Sequence, residues 1–374
     1  MKIKNLEEFL INNQGLSNKE LVAKTGWSER QIRKVKAKLG ISNPQPNQGG
    51  NNMTMEQRVH KHLLSCKKKA ISVGELSDVF DCGVSKIKDI IAGLHKKGIN
   101  ILITDGGVEI SKDIPKAEPT TIPFPKGNVI RFGYVTDNHL CSRYERLDVL
   151  NTLYDVFAKE GITTVFNTGN IIDGEARFNK HDLHTSGLDG QTNYLIKVYP
   201  QREGITTHFI TGDDHEGWYT QREGIDTGKH MQNVANNAGR KDLVYLGHME
   251  HDVIVPAKKG QTIIRLQHPG GGSSYAISYT SQKIVESLSG GEKPHILLIG
   301  HYHKAAYNFI RNIHVIQGGC TEDQTPFMRK KRLSAHLGGW ICEATVNDKG
   351  DVIRFKQEFI PFFDKDAYKW TYKF

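Results

Sequence analysis

Apolar residues in the first third of the chain recur every three or four positions, the spacing of a helix with one buried face. Ile3, Leu6, Phe9 and Leu10 mark a first helix. Ser17 followed by Glu20 has the capping-box interval ahead of Leu21 and Val22, and Ser28 opens SERQIRKVKAKLG, with Ile32, Val35 and Leu39 as its stripe. NPQPNQGGNN cannot build a core and reads as a linker. MEQRVHKHLLSCKKK, SVGELSDVF and CGVSKIKDIIAGLHKKG then predict three more helices, the last turning Val84, Ile87, Ile90, Ile91 and Leu94 inward. INILITDGGVEIS predicts two short strands about a DGG turn. A second Pro-rich stretch ends at Gly127, and beyond it the period changes. Short apolar runs at Val129–Val135, ITTVFNTGN, THFITG, IIRLQ and HILLIG alternate with segments such as 143–159 that read as helix, a βαβ rhythm. GGWICEATVN and DVIRFKQEFIPF predict two closing strands.

These boundaries divide the chain into a trihelical unit at 1–42, a linker at 43–54, a second unit at 55–113, a Pro-rich linker at 114–127 and a large domain at 128–374. A length of 374 residues with 37% hydrophobic side chains supports several folded units. No apolar run approaches the roughly 20 residues that cross a bilayer, and MKIKNLEEFLINNQ lacks the apolar stretch of a signal peptide. A cytoplasmic protein without a membrane partner is the expectation. Five cysteines without a pairing or chelating interval suit reduced thiols.

The charge is unevenly placed. Residues 1–127 carry 21 Lys and Arg against 13 Asp and Glu, whereas the remainder carries 29 against 28. A basic module joined to a nearly neutral one points to an anionic polymer as partner. The first unit resembles a helix-turn-helix, with Arg30, Arg33, Lys34, Lys36 and Lys38 displayed for phosphate contact. Three helices followed by a hairpin resemble a winged helix, where Lys86 and Lys88 are the corresponding candidates. DNA is the expected partner, and the paired units suit either a homodimer or tandem use by one chain.

Chemistry concentrates at strand ends. The five apolar runs finish in Asp137-Asn138-His139, in Asn170 with Asp173, in Asp213-Asp214-His215-Glu216, in His268 and in His301-Tyr302-His303. A carboxylate and an imidazole two residues apart past a strand end can reach one metal ion. Gly270, Gly271 and Gly272 make a turn and not a P-loop, because no GKS or GKT follows. Within 177–204, His181, His184, Arg177, Lys180, Lys197 and Arg202 are weaker candidates for substrate contact, as is the GHMEHD segment for the rim of a site.

DNH at 137–139, GNIID at 169–173, DDHE at 213–216, His268 and GHYH at 300–303 together resemble the ordered motifs of calcineurin-like metallophosphoesterases, in particular their DNA-repair exonuclease branch. That resemblance implies an α/β, βαβ-rich two-sheet sandwich with helices outside, here preceded by small helical DNA-binding-like units, with the two closing strands finishing the second sheet. It implies that Asp137, His139 and His303 hold one metal, that Asp214, His268 and His301 hold the other, and that position 170 bridges them. It also places His215 beside the phosphoryl group, with Asp173 or Glu216 supporting the ligands. The family's bridging Asp is Asn170 here, and Asp213 and Asp214 compete for the place of the family's Asn. Two divalent cations about 3.5 to 4 Å apart would activate a shared water for in-line attack, with His215 protonating the leaving group. Imidazole and carboxylate donors without cysteine favour Mn²⁺, with Fe or Zn as alternatives. The expected activity is a metal-dependent endo- or exodeoxyribonuclease. The alternatives are a phosphatase or small-substrate phosphodiesterase, and a DNA-binding regulator whose Asn170 leaves the metal site weak or silent.

Overall fold

The computed structural model describes residues 6–13, 18–39, 53–66, 70–124, 127–272 and 274–363. The chain divides into two compact units, Met1–Arg58 and Val59–Phe374.

In the first unit, α1 (Leu6–Asn12), α2 (Asn18–Thr25) and α3 (Glu29–Lys38) form around Leu6, Leu10, Leu21 and Ile32, with Phe9, Trp27, Val35 and Leu39 against them. The predicted apolar stripe is therefore the buried face, but it is wider than predicted. Lys36 is only 2% exposed. With Ile32, Val35 and Leu39 it completes an i, i+3, i+4, i+7 face, so its stem lies inward with them. Ile3, Ser17 and the linker at 43–52 lie outside the described residues.

Helix α4 (Met55–Ser65) spans the division, and the second unit continues with α5 (Val73–Phe80) and α6 (Val84–Lys96), followed by the hairpin β1 (Ile101–Thr104) and β2 (Gly107–Ile110). Ser72 and Glu75 close a capping box at the start of α5. Ile87, Ile91 and Leu94 are buried, but Val84, predicted inward, is 44% exposed in the first turn of α6. Residues 114–127 do more than link, because β3 (Thr120–Thr121) adds a parallel strand to a sheet of the large domain. That pairing gives the Pro-rich segment a backbone partner a free linker lacks.

The large domain begins with β4 (Val129–Val135), α7 (Leu147–Lys159), β5 (Thr164–Asn167), α8 (Leu188–Val198), β6 (Thr206–Thr211), α9 (Gly217–Glu223), α10 (Thr227–Asn237) and β7 (Leu243–His248). It continues through β8 (Glu250–Pro256), β9 (Gln261–Gln267), α11 (Tyr279–Ser287), β10 (Ile296–Ile299), β11 (Ala305–Ile310), β12 (Ile313–Gly318), α12 (Pro326–Lys331), β13 (Gly338–Val346) and β14 (Val352–Pro361). Two six-stranded sheets result, in the orders β14-β13-β4-β5-β6-β7 and β11-β12-β10-β9-β8-β3. Phe132, Tyr134, Phe166, Ile210 and Trp340 from the first meet Val253, Ile264, Leu266, Leu298 and Ile316 from the second in one buried layer. This is the predicted α/β two-sheet sandwich. Helix α7 covers the outside of the first sheet, where Gly133 leaves room for the ring of Phe157, and α11 packs through Val285 on the second. The closing strands differ from expectation: β13 pairs with β4 and extends the first sheet, because its antiparallel register runs from Trp340 opposite Tyr134 to Thr345 opposite Val129.

Met249 carries the chain from β7 in one sheet to β8 in the other, with φ of 63°. Its N–H donates to Thr211 O and its carbonyl accepts from His268 N. The GHMEHD segment is thus the crossing between sheets. His248 Nδ1 lies 3.0 Å from Thr211 Oγ1, and buried His251 lies 2.9 Å from Thr120 Oγ1. No helix among the described residues is long and apolar enough to cross a membrane.

Candidate metal centre

Parallel pairing sets Val135 opposite Asn167 and Asn167 opposite Phe209, so β4 and β5 end level and β6 runs two residues further, to Thr211. In the facing sheet Ile299 pairs with Gln267, which aligns the ends of β9 and β10. The polar clusters predicted from sequence leave from these ends. Asp137, His139, Asn170, His215, His301 and His303 all have φ between 47° and 77°. Such left-handed backbone costs a non-glycine residue about 1–3 kcal/mol and persists where surrounding structure holds it. Here each reversal turns a side chain back across the strand ends.

Two sets of donors converge. His139 Nε2 and His303 Nε2 are 3.0 Å apart, and Asp137 Oδ1 is 3.9 Å from the first and 3.6 Å from the second. Asp214 places Oδ1 3.4 Å from His268 Nε2 and Oδ2 3.1 Å from His301 Nδ1. Asn170 Nδ2 donates to Asp137 Oδ1 at 3.3 Å. A Cβ on Gly212 would come 2.9 Å from His268 Nε2 and 3.1 Å from Asn170 Oδ1, so the Asn170 amide lies between the two sets and Gly212 lets them close.

The residues fit a pair of divalent cations. Within each triad the donor atoms lie within 4.8 Å of one another, the spacing of neighbouring ligands on one ion. Asn170 Oδ1, Asp214 Oδ1 and His268 Nε2 are buried without a hydrogen-bond partner. Asp214 Oδ1 and His268 Nε2 face each other as an ion pair, which leaves Asn170 Oδ1 as the orphan; such an atom costs about 1–3 kcal/mol unless something satisfies it, and a cation would.

The supporting shell is built from the same loops. Asp173 Oδ1 lies 2.9 Å from both His139 Nδ1 and His215 Nδ1, and Asn179 Nδ2 donates to its other oxygen at 3.1 Å. One carboxylate therefore orients a metal-set imidazole and the histidine beside it. Glu216 accepts from the backbone N–H of Asn170 and Gly212 at 2.7 and 3.0 Å, tying the second strand-end loop to the third. His301 N donates to Asp137 Oδ2, and His268 Nδ1 faces Thr168 O, so each sheet anchors a residue of the other.

Burial opposes charging His139, but Glu322 and Asp173 outweigh it and hold its pKa at about 10. Burial likewise opposes charging His268, but Asp214 and Asp137 raise it to about 9. His303 falls to about 3, because burial and the neighbouring histidines prevail over Asp137. Burial pushes Glu216 up to about 7 against the pull of His268. Burial would raise the Asp214 carboxyl, yet His268 and His301 hold it far below the usual range. The Asp137 and Asp214 carboxylates stay ionised, and the imidazoles around them become nitrogen donors for a cation once they release their protons.

Of the two adjacent aspartates, Asp214 reaches His268 and His301. Asp213 instead faces Gly270, with its carbonyl accepting from Gln221 Nε2. Asn138 belongs to a buried network with Asn167 and Thr321. His184 pairs with Glu145, and Arg202 with Asp155. Lys34, Lys38, Lys86 and Lys88 are exposed, and Lys38 reaches Glu7 at 3.0 Å. Arg30 and Arg33 stand in α3, with side chains outside the described residues.

Sequence reasoning missed Glu322. It is buried 4.0 Å from His139 Nε2, takes the Ser142 hydroxyl at 2.8 Å, and has its pKa raised by burial. Nothing in GCTEDQTP marks it, since only the chain return after β12 brings it to the site. Also missed were Phe178, Trp218 and Phe327, which with Asn170, Asp214, His215 and His301 line a cavity of about 510 Å³.

No family model matches this chain, and no curated protein does. Among solved structures it is similar to an archaeal phosphodiesterase at 11% identity, covering 62% of this chain and all of that one with a TM-score of 0.33. Vps29 complexed with zinc from Entamoeba histolytica is similar at 15% identity, covering 63% of this chain and all of that one with a TM-score of 0.29. A predicted phosphoesterase from Streptococcus pneumoniae is similar at 13% identity, again covering 63% and all of that chain, with a TM-score of 0.28. Likeness at this level assigns no family, and the case for the centre rests on this chain's own residues.

Proposed function

We propose that this chain is a metal-dependent phosphoesterase acting on DNA phosphodiesters, with its N-terminal helical units holding the nucleic acid. One observation carries the reading: two carboxylate–imidazole triads meet across two sheets, with Asn170 between them and His215 at the edge of the same cavity. Asp137, His139 and His303 would hold one cation, and Asp214, His268 and His301 the other, with the Asn170 side chain between them. Bound cations polarise phosphoryl oxygens and lower the pKa of water. The protein supplies the rest. With its Nδ1–H given to Asp173, His215 can present a proton on Nε2 to the leaving oxygen. Burial and His139 oppose that charge, while Asp173 and Asp214 favour it and raise the His215 pKa overall. Exposed Lys34, Lys86 and Lys88, with the basic excess of residues 1–127, support a polyanionic substrate. Mn²⁺ is the cation we would supply first, because the donors are imidazole and oxygen.

A second reading, a DNA-binding regulator with a silent centre, has Asn170 behind it, since a neutral amide binds cations more weakly than a carboxylate. Cleavage of linear and closed-circular DNA by purified protein with Mn²⁺, beside Asp137→Ala and His215→Ala, separates the two. Cutting by the unsubstituted protein alone supports the nuclease, and cutting of the circle shows endonuclease action. Tight DNA binding without cleavage at verified metal occupancy overturns it.

A further inference from the structure

The cavity beside the candidate centre has an aromatic wall that coordination chemistry does not need. The Trp218 ring lies 4.6 Å from the His215 ring at 30°. Phe178 meets Trp218 edge-on at 5.1 Å, and Phe327 lies 5.7 Å from Phe178 at 31°. These three residues come from separate parts of the chain: the segment after β5, helix α9 and helix α12. Phe178 is 58% exposed and Phe327 is 49% exposed, so two large apolar rings face water at the cavity rim. Exposed apolar groups of this size, clustered at a polar site, mark a binding surface.

The surroundings select the occupant. Helix α12 carries Arg329, Lys330 and Lys331, Arg332 follows it, and all four are exposed. Lys331 lines the cavity itself. Flat rings with cations alongside match a chain of bases joined by phosphates, because every base has a face to stack and every linkage a charge to neutralise. A base inside a duplex has both faces covered by its neighbours, so away from duplex ends an exposed ring can stack only on one that is unpaired or splayed out. The cavity of about 510 Å³ admits a group of nucleotide size.

We infer that Phe178 and Phe327, with Trp218 behind them, form a stacking platform for an unpaired nucleobase, positioning single-stranded nucleic acid beside the candidate metal centre. This inference deepens the nuclease reading and rests on it for the bond that is cut, but not for the stacking itself. Lys330, Lys331 and Arg332 would follow the backbone of the same strand.

Binding of the full-length protein to a fluorescent single-stranded oligonucleotide, in chelator without added metal, tests the platform apart from catalysis. The competitor is a strand of equal length whose residues are abasic. Contacts made by the N-terminal units to phosphates are common to both strands and cancel in the ratio of Kd values. The normal strand should bind about 5- to 150-fold more tightly, the range of one stacked base. Phe178→Ala with Phe327→Ala should bring the ratio close to one, while Phe178→Trp preserves it. Equal binding of the two strands by the unsubstituted protein, or a ratio untouched by the alanine pair, overturns the inference. Hydrolysis of bis(p-nitrophenyl) phosphate with Mn²⁺ is measured in parallel. Its absence counts against the phosphoesterase reading and leaves the strand-binding result to decide the platform.

Discussion

Asp173 shows how much of the site turns on one atom. Its Oδ1 faces two imidazoles, each at 2.9 Å, so the orientation of His139 and His215 depends on one charged acceptor. Asp173→Asn keeps the shape and removes the charge. We expect kcat on a phosphodiester to fall about 10- to 100-fold, the usual cost of losing such a partner, and Tm to fall as well, because burial opposes the Asp173 charge and the two imidazoles that hold it ionised lose their partner. Unchanged turnover would show that the two rings are held by other means. His208 belongs to the fold and not to the centre. Burial lowers its pKa to about 4 from 6.5. The unfolded chain therefore takes up a proton at this residue between pH 6.5 and 4 while the folded chain does not, and stability falls as pH falls through that window. The contribution is roughly 3 kcal/mol when fully lost. Denaturation measured across the window should show a shallower decline for His208→Phe than for the unsubstituted protein, and parallel curves would contradict the assignment.

Elements meet through short backbone contacts that the sequence does not announce. The helices and hairpin of 59–110 seat on the loop after α9: Asn100 N donates to Gly224 O, Asp226 N donates to Gly98 O, and His60 Nε2 lies 2.9 Å from Glu223 O. Gly224 ends α9 with φ of 67°, and a Cβ there would fall 2.0 Å from Ile110 Cγ2. Gly224→Ala thus meets left-handed strain and a clash at once. We expect a loss of about 2–4 kcal/mol in urea denaturation, with earlier proteolysis between α6 and β3. A loss below half a kcal/mol would mean that the hairpin moves aside freely. Periodicity predicted these helices and strands because each carries its apolar face in its own sequence. It misplaced Lys36, a polar residue on an apolar face, and Val84, an apolar residue at an exposed helix start.

For the whole molecule, the cations are expected to act as structural ligands as well as reactive ones. A preformed set of buried donors should bind metal in the folded state only, so Mn²⁺ at about 100 times its Kd should add roughly 2.7 kcal/mol of stability for each cation bound. Thermal denaturation with chelator and then with Mn²⁺ measures it, and coincident curves would argue against the centre. Asn170→Asp supplies a charged donor between the two triads and should tighten Mn²⁺ binding by on the order of tenfold in the same titration. No gain would place Asn170 outside the metal environment.

Local structure and chemical repertoire were legible along the chain. Apolar runs of strand length, each ending in Asp, Asn or His, could be read without knowing which strands neighbour one another, because both features are contiguous in the chain. What those ends share came from the packing of distant segments. The parallel register that aligns β4, β5 and β6, the crossing at Met249 and the attachment of β13 to β4 are pairings between distant residues, and strand identity does not encode them. The same holds for Glu322 beside His139, for Asp214 in place of Asp213, and for two phenylalanines about 150 positions apart forming one wall. A side chain's partner is fixed by where the backbone returns, and that depends on packing the two sheets together.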